Sequence, residues 1–301
     1  MEALVALDEK GLSPAPGEDA PAFAARLNTL NENIRGMEAE LNRNGSYTVE
    51  DVTVSKDARI PRAIFNEAAA KTGKLYGFQC DWVPGFFINP KFSGLFGGCA
   101  FYFYPDFFAL FIIRHSFRKQ KKWLWYRRDE LLAHELCHVA RAGIASNDFE
   151  ELFAYQTAST AFRRITGGIF RSQTDVFLFL GVTLLQLLAQ IARVFYFPNL
   201  PAWPAWTLLG AVFAFLVLRL CRDTAHHRRA ISNLKTFCGD ENDARIILFH
   251  CTDAEVRQLA KTKNVASLVK NFADNQLRWK ILLHRFPGSR GKRAADGGNG
   301  G

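Results

Sequence analysis

Two histidines four residues apart, with a glutamate directly after the first, stand in the segment RRDELLAHELCHVARAG as His134, Glu135 and His138. Residues four apart share one face of an α-helix, so both imidazoles can reach one ion. Zinc suits imidazole, and Glu135, one residue along, can reach a zinc-bound water without ligating the metal. The flanking residues favour a helix. Asp129 is placed to cap it, Leu131, Leu132, Leu136 and Val139 supply an apolar face, and Gly143 supplies a stop. The chemistry indicated is hydrolysis by a metal-activated water with Glu135 as its base.

A catalytic zinc usually has three protein ligands and one open position. After Gly143 and a short loop, SNDFEELFAYQTASTAF reads as a second helix capped by Asp148. Its Glu151 begins Glu-Leu-Phe-Ala. HELCH followed by EELFA resembles the gluzincin metallopeptidases, in which the Glu of an ExxA segment on a second helix completes a His-His-Glu site. The neighbouring apolar hairpin is similar to that of membrane-embedded gluzincins of the M48 type, although in the bacterial members the ligand Glu follows a second apolar pair. The resemblance rests on about 25 residues. It implies an α+β, zincin-like catalytic part made of a small antiparallel sheet, the HExxH helix and a ligand helix. It also implies one zinc per chain on His134, His138 and Glu151, with Glu135 catalytic and peptide bonds as the target.

Two other carboxylates compete for the third ligand position. Glu241 begins a second ExxA, Glu-Asn-Asp-Ala, beyond the hairpin, and Glu150 lies one step from Glu151. Glu151 is favoured because 13 residues after His138 suffice to end one helix, turn and begin a second against it. Many gluzincins carry Asp four residues after the ligand Glu, where it orients a zinc histidine. Here Tyr155 stands in that place, so the orienting group is not identified. Tyr155, His226 and His227 are candidate electrophilic helpers.

The elements that would position these groups lie mostly upstream. Residues 1–20, rich in Pro, Gly, Ala and acids, read as a mobile leader. Phe23, Leu27, Leu30, Ile34, Met37 and Leu41 recur at helical spacing, and Asn44-Gly45 ends that helix. SYTVEDVTV leans towards strand, and 61–71 towards helix. Residues 76–126 read as strands: CAFYFY closed by Pro105-Asp106, then FFALFII, then KWLWY after the turn RHSFRKQK. In zincins an edge strand before the HExxH helix pairs with extended substrate, and KWLWY or FFALFII are the candidates for it.

Val176–Ala192 and Leu200–Leu218 carry no charge over 17 and 19 residues, each just long enough to span a bilayer. Arg163, Arg164 and Arg171 precede the pair, Arg219, Arg222, Arg228 and Arg229 follow it, and only Arg193 lies between. The positive-inside rule then places both termini and the active site in the cytoplasm, in an integral membrane protein. The expected organisation is an acidic, mainly helical region at 1–75 and the catalytic domain at 76–172. A transmembrane hairpin at 173–222, a helical C-terminal region at 223–286 and a disordered tail at 287–301 follow.

Charge and cysteine usage exclude other classes. Residues 1–51 hold 10 acids and 4 bases, against 19 acids and 34 bases in the remainder. The block 114–128 has 7 Lys or Arg among aromatics, but no nucleic-acid recognition motif accompanies it, so nucleic acid is not an expected partner. Six cysteines without a CxxC pair exclude a zinc ribbon and argue against a secreted disulfide framework. The expected partners are a protein or peptide substrate and the lipid bilayer. The competing reading is a hairpin membrane protein with a structural or interaction role and a fortuitous HExxH.

Overall fold

A computed structural model of the chain describes residues 1–49, 52–89, 97–103, 108–144 and 146–287. The first twenty residues, expected to be a mobile leader, are docked instead. Helix α1 (Glu2–Asp8) leads into a buried turn over residues 11–15. Asp8 is its anchor: the carboxylate accepts a hydrogen bond from Ser13 Oγ and lies 3.0 Å from His250 Nε2 and 2.7 Å from Arg285 Nη1. Both partners come from the far end of the chain, beyond the reach of local composition.

Helix α2 (Ala20–Asn44) begins at Asp19, whose side chain accepts from the Ala22 amide, and ends at Gly45, which takes the left-handed conformation at φ 73°. Strands β1 (Ser46–Val49) and β2 (Val52–Ser55) form an antiparallel hairpin, and α3 (Arg62–Tyr76) follows. A three-stranded sheet then forms from β3 (Gly85–Ile88), β4 (Gly98–Phe103) and β5 (Phe108–Arg114), in the order β3-β5-β4. Strand β3 runs parallel to β5 and β4 antiparallel, so the sheet is mixed rather than the antiparallel one expected. Phe108–Ile113 of FFALFII lie in its central strand, not an edge. Phe108, Leu110 and Ile112 face α2 and the β1–β2 hairpin, whereas Ala109, Phe111 and Ile113 face the main core. The other nominated edge, KWLWY, folds into the two short strands β6 (Lys122–Trp123) and β7 (Tyr126–Arg127) around Leu124 at φ 52°. The edge beside the HExxH helix belongs to β4.

Helices account for the rest: α4 (Arg128–Arg141), α5 (Glu150–Tyr155), α6 (Ala161–Thr166), α7 (Gln173–Phe195) and α8 (Trp203–Cys238). They are followed by α9 (Glu241–Phe249), α10 (Asp253–Lys261), α11 (Val265–Asn275) and α12 (Leu277–Arg285). The main core joins α3 and α4 to the second half of α8 and to α9–α12 through buried Leu136, Leu234, Phe249 and Trp279. Residue 222 lies inside α8, so one helix carries the chain from the apolar hairpin into this core.

Two helices, α7 and α8, are long and apolar enough to cross a membrane. Only 11% and 6% of their most apolar stretches is buried, where a core helix of a soluble domain would be mostly covered. Phe177, Leu184, Leu188, Trp206, Phe213 and Leu218 are exposed along them. Asp175 and Arg219 pair across the base of the hairpin, Oδ1 to Nη1, at 2.9 Å. Pro105, Asp106 and residues 288–301 of the tail lie outside the described residues.

Candidate metal centre

The HExxH segment lies on α4, as its spacing predicts, but the helix is anchored differently from expectation. Asp129 does not cap it; it sits in the first turn and pairs with Lys71 of α3 at 2.8 Å. Negative charge is favourable there in either role. Asp148 does not cap α5 either, and is held instead by Arg171 at 2.7 Å and by Arg257. The cap comes from α10: the Asp253 carboxylate accepts from the amides of Asn147, Asp148 and Phe149 at 2.8, 2.9 and 3.4 Å. The expected long second helix is accordingly broken, with α5 of six residues and α6 separated by a turn at 156–160.

These anchors bring three groups together. His134 Nε2 and His138 Nε2 are 3.1 Å apart. Each is 3.5 or 3.6 Å from a carboxylate oxygen of Glu151. Those two oxygens differ, Oε2 towards His134 and Oε1 towards His138, and one ligand atom from each of the three residues lies within 4.8 Å of the others. Tetrahedral ligands about 2.05 Å from a zinc ion lie roughly 3.3 Å apart, so the imidazole spacing and the two-imidazole, one-carboxylate donor set suit that metal. Glu241 is not brought here; it is exposed at the start of α9, paired with Lys235 at 3.0 Å and Arg245 at 3.6 Å. Glu150 reaches the other side of His138, with Oε1 3.1 Å from Nδ1, while its Oε2 accepts from Arg141 Nε at 2.7 Å. Arg141 is fully buried, donates to the carbonyls of Phe249 and Cys251, and lies 4.3 Å from the Phe153 ring centroid.

Glu135 stays out of the three-residue cluster. Its Oε2 accepts the Ala100 amide of edge strand β4 at 2.9 Å, and no hydrogen bond reaches its Oε1 among the described residues. The Tyr155 ring packs edge-on against His134 at 4.6 Å between centroids. Its other face meets Gly167, where any Cβ would run into the ring. His227 lies behind α5 against Phe153, and neither it nor His226 lines the cavity that holds the cluster. That cavity, of about 600 Å³, is bounded by Ala100, the cluster, Asn147 and Tyr155. Phe170–Gln173 and Val176 complete its lining, so it lies beside the start of α7.

The local electrostatics separate the ionisable groups. Burial and the neighbouring His138 hold His134 well below the usual imidazole value, despite a hydrogen bond to the Ala154 carbonyl. Burial opposes charge on His138 too, but the hydrogen bond and charge of Glu150, with Glu135 and Glu151, carry it up to about 9. Burial, with Glu135 and Glu150 beside it, pushes Glu151 up to about 7 against the pull of His138. Burial likewise raises Glu135. Glu150 lies below the ordinary carboxylate range because Arg141 and His138 outweigh its burial.

Sequence reasoning missed Glu150 as the orienting partner, Ala100 on the edge strand and Asp253 as the remote cap. Only the first had a local signal, since Arg141 lies three residues beyond His138 and can hold a carboxylate against its ring. No family model, curated protein or solved structure matches this chain.

Proposed function

We propose that the chain is a membrane-anchored, zinc-dependent endopeptidase of zincin-like architecture. The observation that carries this is the convergence of His134, His138 and Glu151 beside Glu135 and the outer edge of β4. His134, His138 and Glu151 hold the ion, and Glu150 orients His138 through its Nδ1 atom. When bound, zinc would polarise the scissile carbonyl and acidify a water. Glu135 accepts that water's proton on Oε1 and returns it to the leaving amine. Its raised pKa suits both halves of that task.

Substrate orientation follows from β4. A residue's N–H and C=O point to the same side of its strand, and the Ala100 amide points away from β5, towards Glu135. The Ala100 carbonyl therefore faces outward beside the cluster, available to an extended peptide laid along this edge. The cavity's wall of Phe170–Gln173 and Val176 favours a polypeptide lying at the membrane surface. With α7 and α8 in the bilayer, the flanking arginines favour a cytoplasmic side for both termini and the site under the positive-inside rule.

Metal content and turnover test this together. Protein purified in detergent should hold about one zinc per chain. E135Q should keep the metal and the fold while losing peptide hydrolysis, because an amide cannot take the water's proton. Undiminished hydrolysis by E135Q overturns the mechanism, and wild-type protein that binds no zinc overturns the reading.

A further inference from the structure

Behind α5, on the opposite side from the histidines, lies a second cavity of about 340 Å³. Its polar wall is made by Arg164, Arg228, Arg245, His227, Gln156 and Thr224, and no acidic residue lines it. Its apolar wall includes Leu220, at the end of the apolar stretch of α8, and Ile165 beside it. Three guanidinium groups around one cavity repel each other unless something negative lies between them.

Among the described residues, only Arg245 of the three has an acidic partner. Arg164 donates to the neutral carbonyls of Ala158 and Ser159 at 2.9 and 3.0 Å. Arg228 has no acidic partner among the described residues. Arg245 has only the exposed Glu241, at 3.6 Å. His227 supplies an independent sign. It is more than nine-tenths buried, it lines this cavity, and among the described residues its Nε2 has no hydrogen-bond partner. A buried polar nitrogen without a partner is uncommon in a native protein and leaves room for one more hydrogen bond. Burial, with Arg245, Arg228 and Arg141 nearby, lowers the His227 pKa to about 4, as a strongly positive surrounding requires.

We infer that this cavity binds an anionic phosphate group, carried by an acidic phospholipid headgroup or by free phosphate. Arg164, Arg228 and Arg245 supply charge, and His227 and Thr224 supply directed hydrogen bonds. Leu220 and Ile165 provide an apolar flank of the kind an acyl chain would follow towards α7 and α8. Exposed Phe162 and Ile165 on α6 extend that apolar margin. The site is independent of the metal centre; only its lipid source rests on the membrane reading above.

The test uses the full chain in a neutral detergent, titrated with dihexanoyl phosphatidic acid, dihexanoyl phosphatidylcholine and inorganic phosphate. Binding is read by calorimetry and by the shift in thermal midpoint. Phosphatidic acid should bind and raise the midpoint. R228Q should weaken it about fivefold and R164Q/R228Q about thirtyfold, at roughly 1 kcal/mol per arginine lost near the phosphate. R222Q/R229Q removes two bases outside the cavity and should bind as wild type does. R228Q alters an exposed rim residue, so its folding is not at issue. Inorganic phosphate that binds as tightly as phosphatidic acid supports the site with the free anion as occupant, and a clear preference for phosphatidic acid supports the lipid. The assignment is overturned if neither binds, if phosphatidylcholine binds equally, or if R228Q binds like wild type. Equal weakening in R222Q/R229Q also overturns it.

Discussion

His138 Nδ1 lies 3.1 Å from Glu150 Oε1, so the same ring offers Nε2 to the three-residue cluster while its other nitrogen is fixed from behind. The adjacent glutamates thus point to different sides of one imidazole: Glu151 towards the cluster, Glu150 towards the buried Arg141. Removing Glu150 leaves Arg141 buried beside neutral carbonyls with no carboxylate. E150A should therefore cost about 3 kcal/mol of stability and weaken zinc binding about 10- to 100-fold. Chelator competition and denaturation curves check both, and a variant indistinguishable from wild type in the two measurements would remove Glu150 from the site.

Glu151 and Glu241 are told apart by metal content. E151A should lose most of its zinc and all hydrolysis, since its carboxylate is the one that reaches both histidines. E241A should keep both near wild type, because Glu241 is exposed and, among the described residues, pairs with Lys235 and Arg245. Zinc lost in E241A and kept in E151A would reverse the assignment.

Asp8 gives the fold an acid-sensitive clasp between its two ends. Burial opposes its ionisation, yet His250, the hydrogen bonds from His250 and Ser13, and Arg285 hold its pKa far below the ordinary aspartate value. A depressed carboxylate pKa contributes stability that is complete above the unfolded value of about 4 and is lost as pH falls through the folded one. D8N should cost about 3 kcal/mol at pH 7, and its deficit against wild type should shrink below about pH 4. Thermal midpoints of both proteins across that range are the measurement; a deficit that stays constant down to acid denaturation would contradict the linkage.

The hairpin can be removed without touching its base. Replacing residues 177–217 with a short Gly-Ser linker keeps Asp175 and Arg219, and the remaining chain should fold and fractionate as soluble protein. In the intact protein, a cysteine placed at Asn199 should react with an impermeant reagent from outside the cell. Labelling only after the membrane is opened would invert the topology, and a shortened chain that still pellets with membranes would mean another segment anchors it.

The parts of this molecule readable from sequence are those governed by short-range rules. The i, i+4 histidines, the Asn44-Gly45 stop and the two charge-free stretches depend on residues within a few turns of each other. The parts not readable depend on distant partners. Asp253 caps a helix more than a hundred residues earlier, and Arg285 and His250 pin α1, whose composition alone suggests mobility. β4 was readable as a strand, but its place at the edge depends on which neighbour β5 pairs with, and that is a tertiary choice. Glu150 was visible only as a neighbour of Glu151. Its role depends on the side of His138 from which α5 approaches.

Helix α8 runs unbroken for 36 residues, about 54 Å at 1.5 Å per residue, while the hydrocarbon of a bilayer is about 30 Å thick. An uninterrupted helix has no hinge. Its outer half and the half seated against α9 and α10 form a single lever, and a tilt of one end is a tilt of the other. In a thinner bilayer α8 would lean further to hide its apolar half, and the whole core would turn with it. If α7 and α8 span a bilayer as proposed, the length of this one rod would set the cluster's height above the lipid, and with it the residue at which a membrane-emergent chain could reach Glu135.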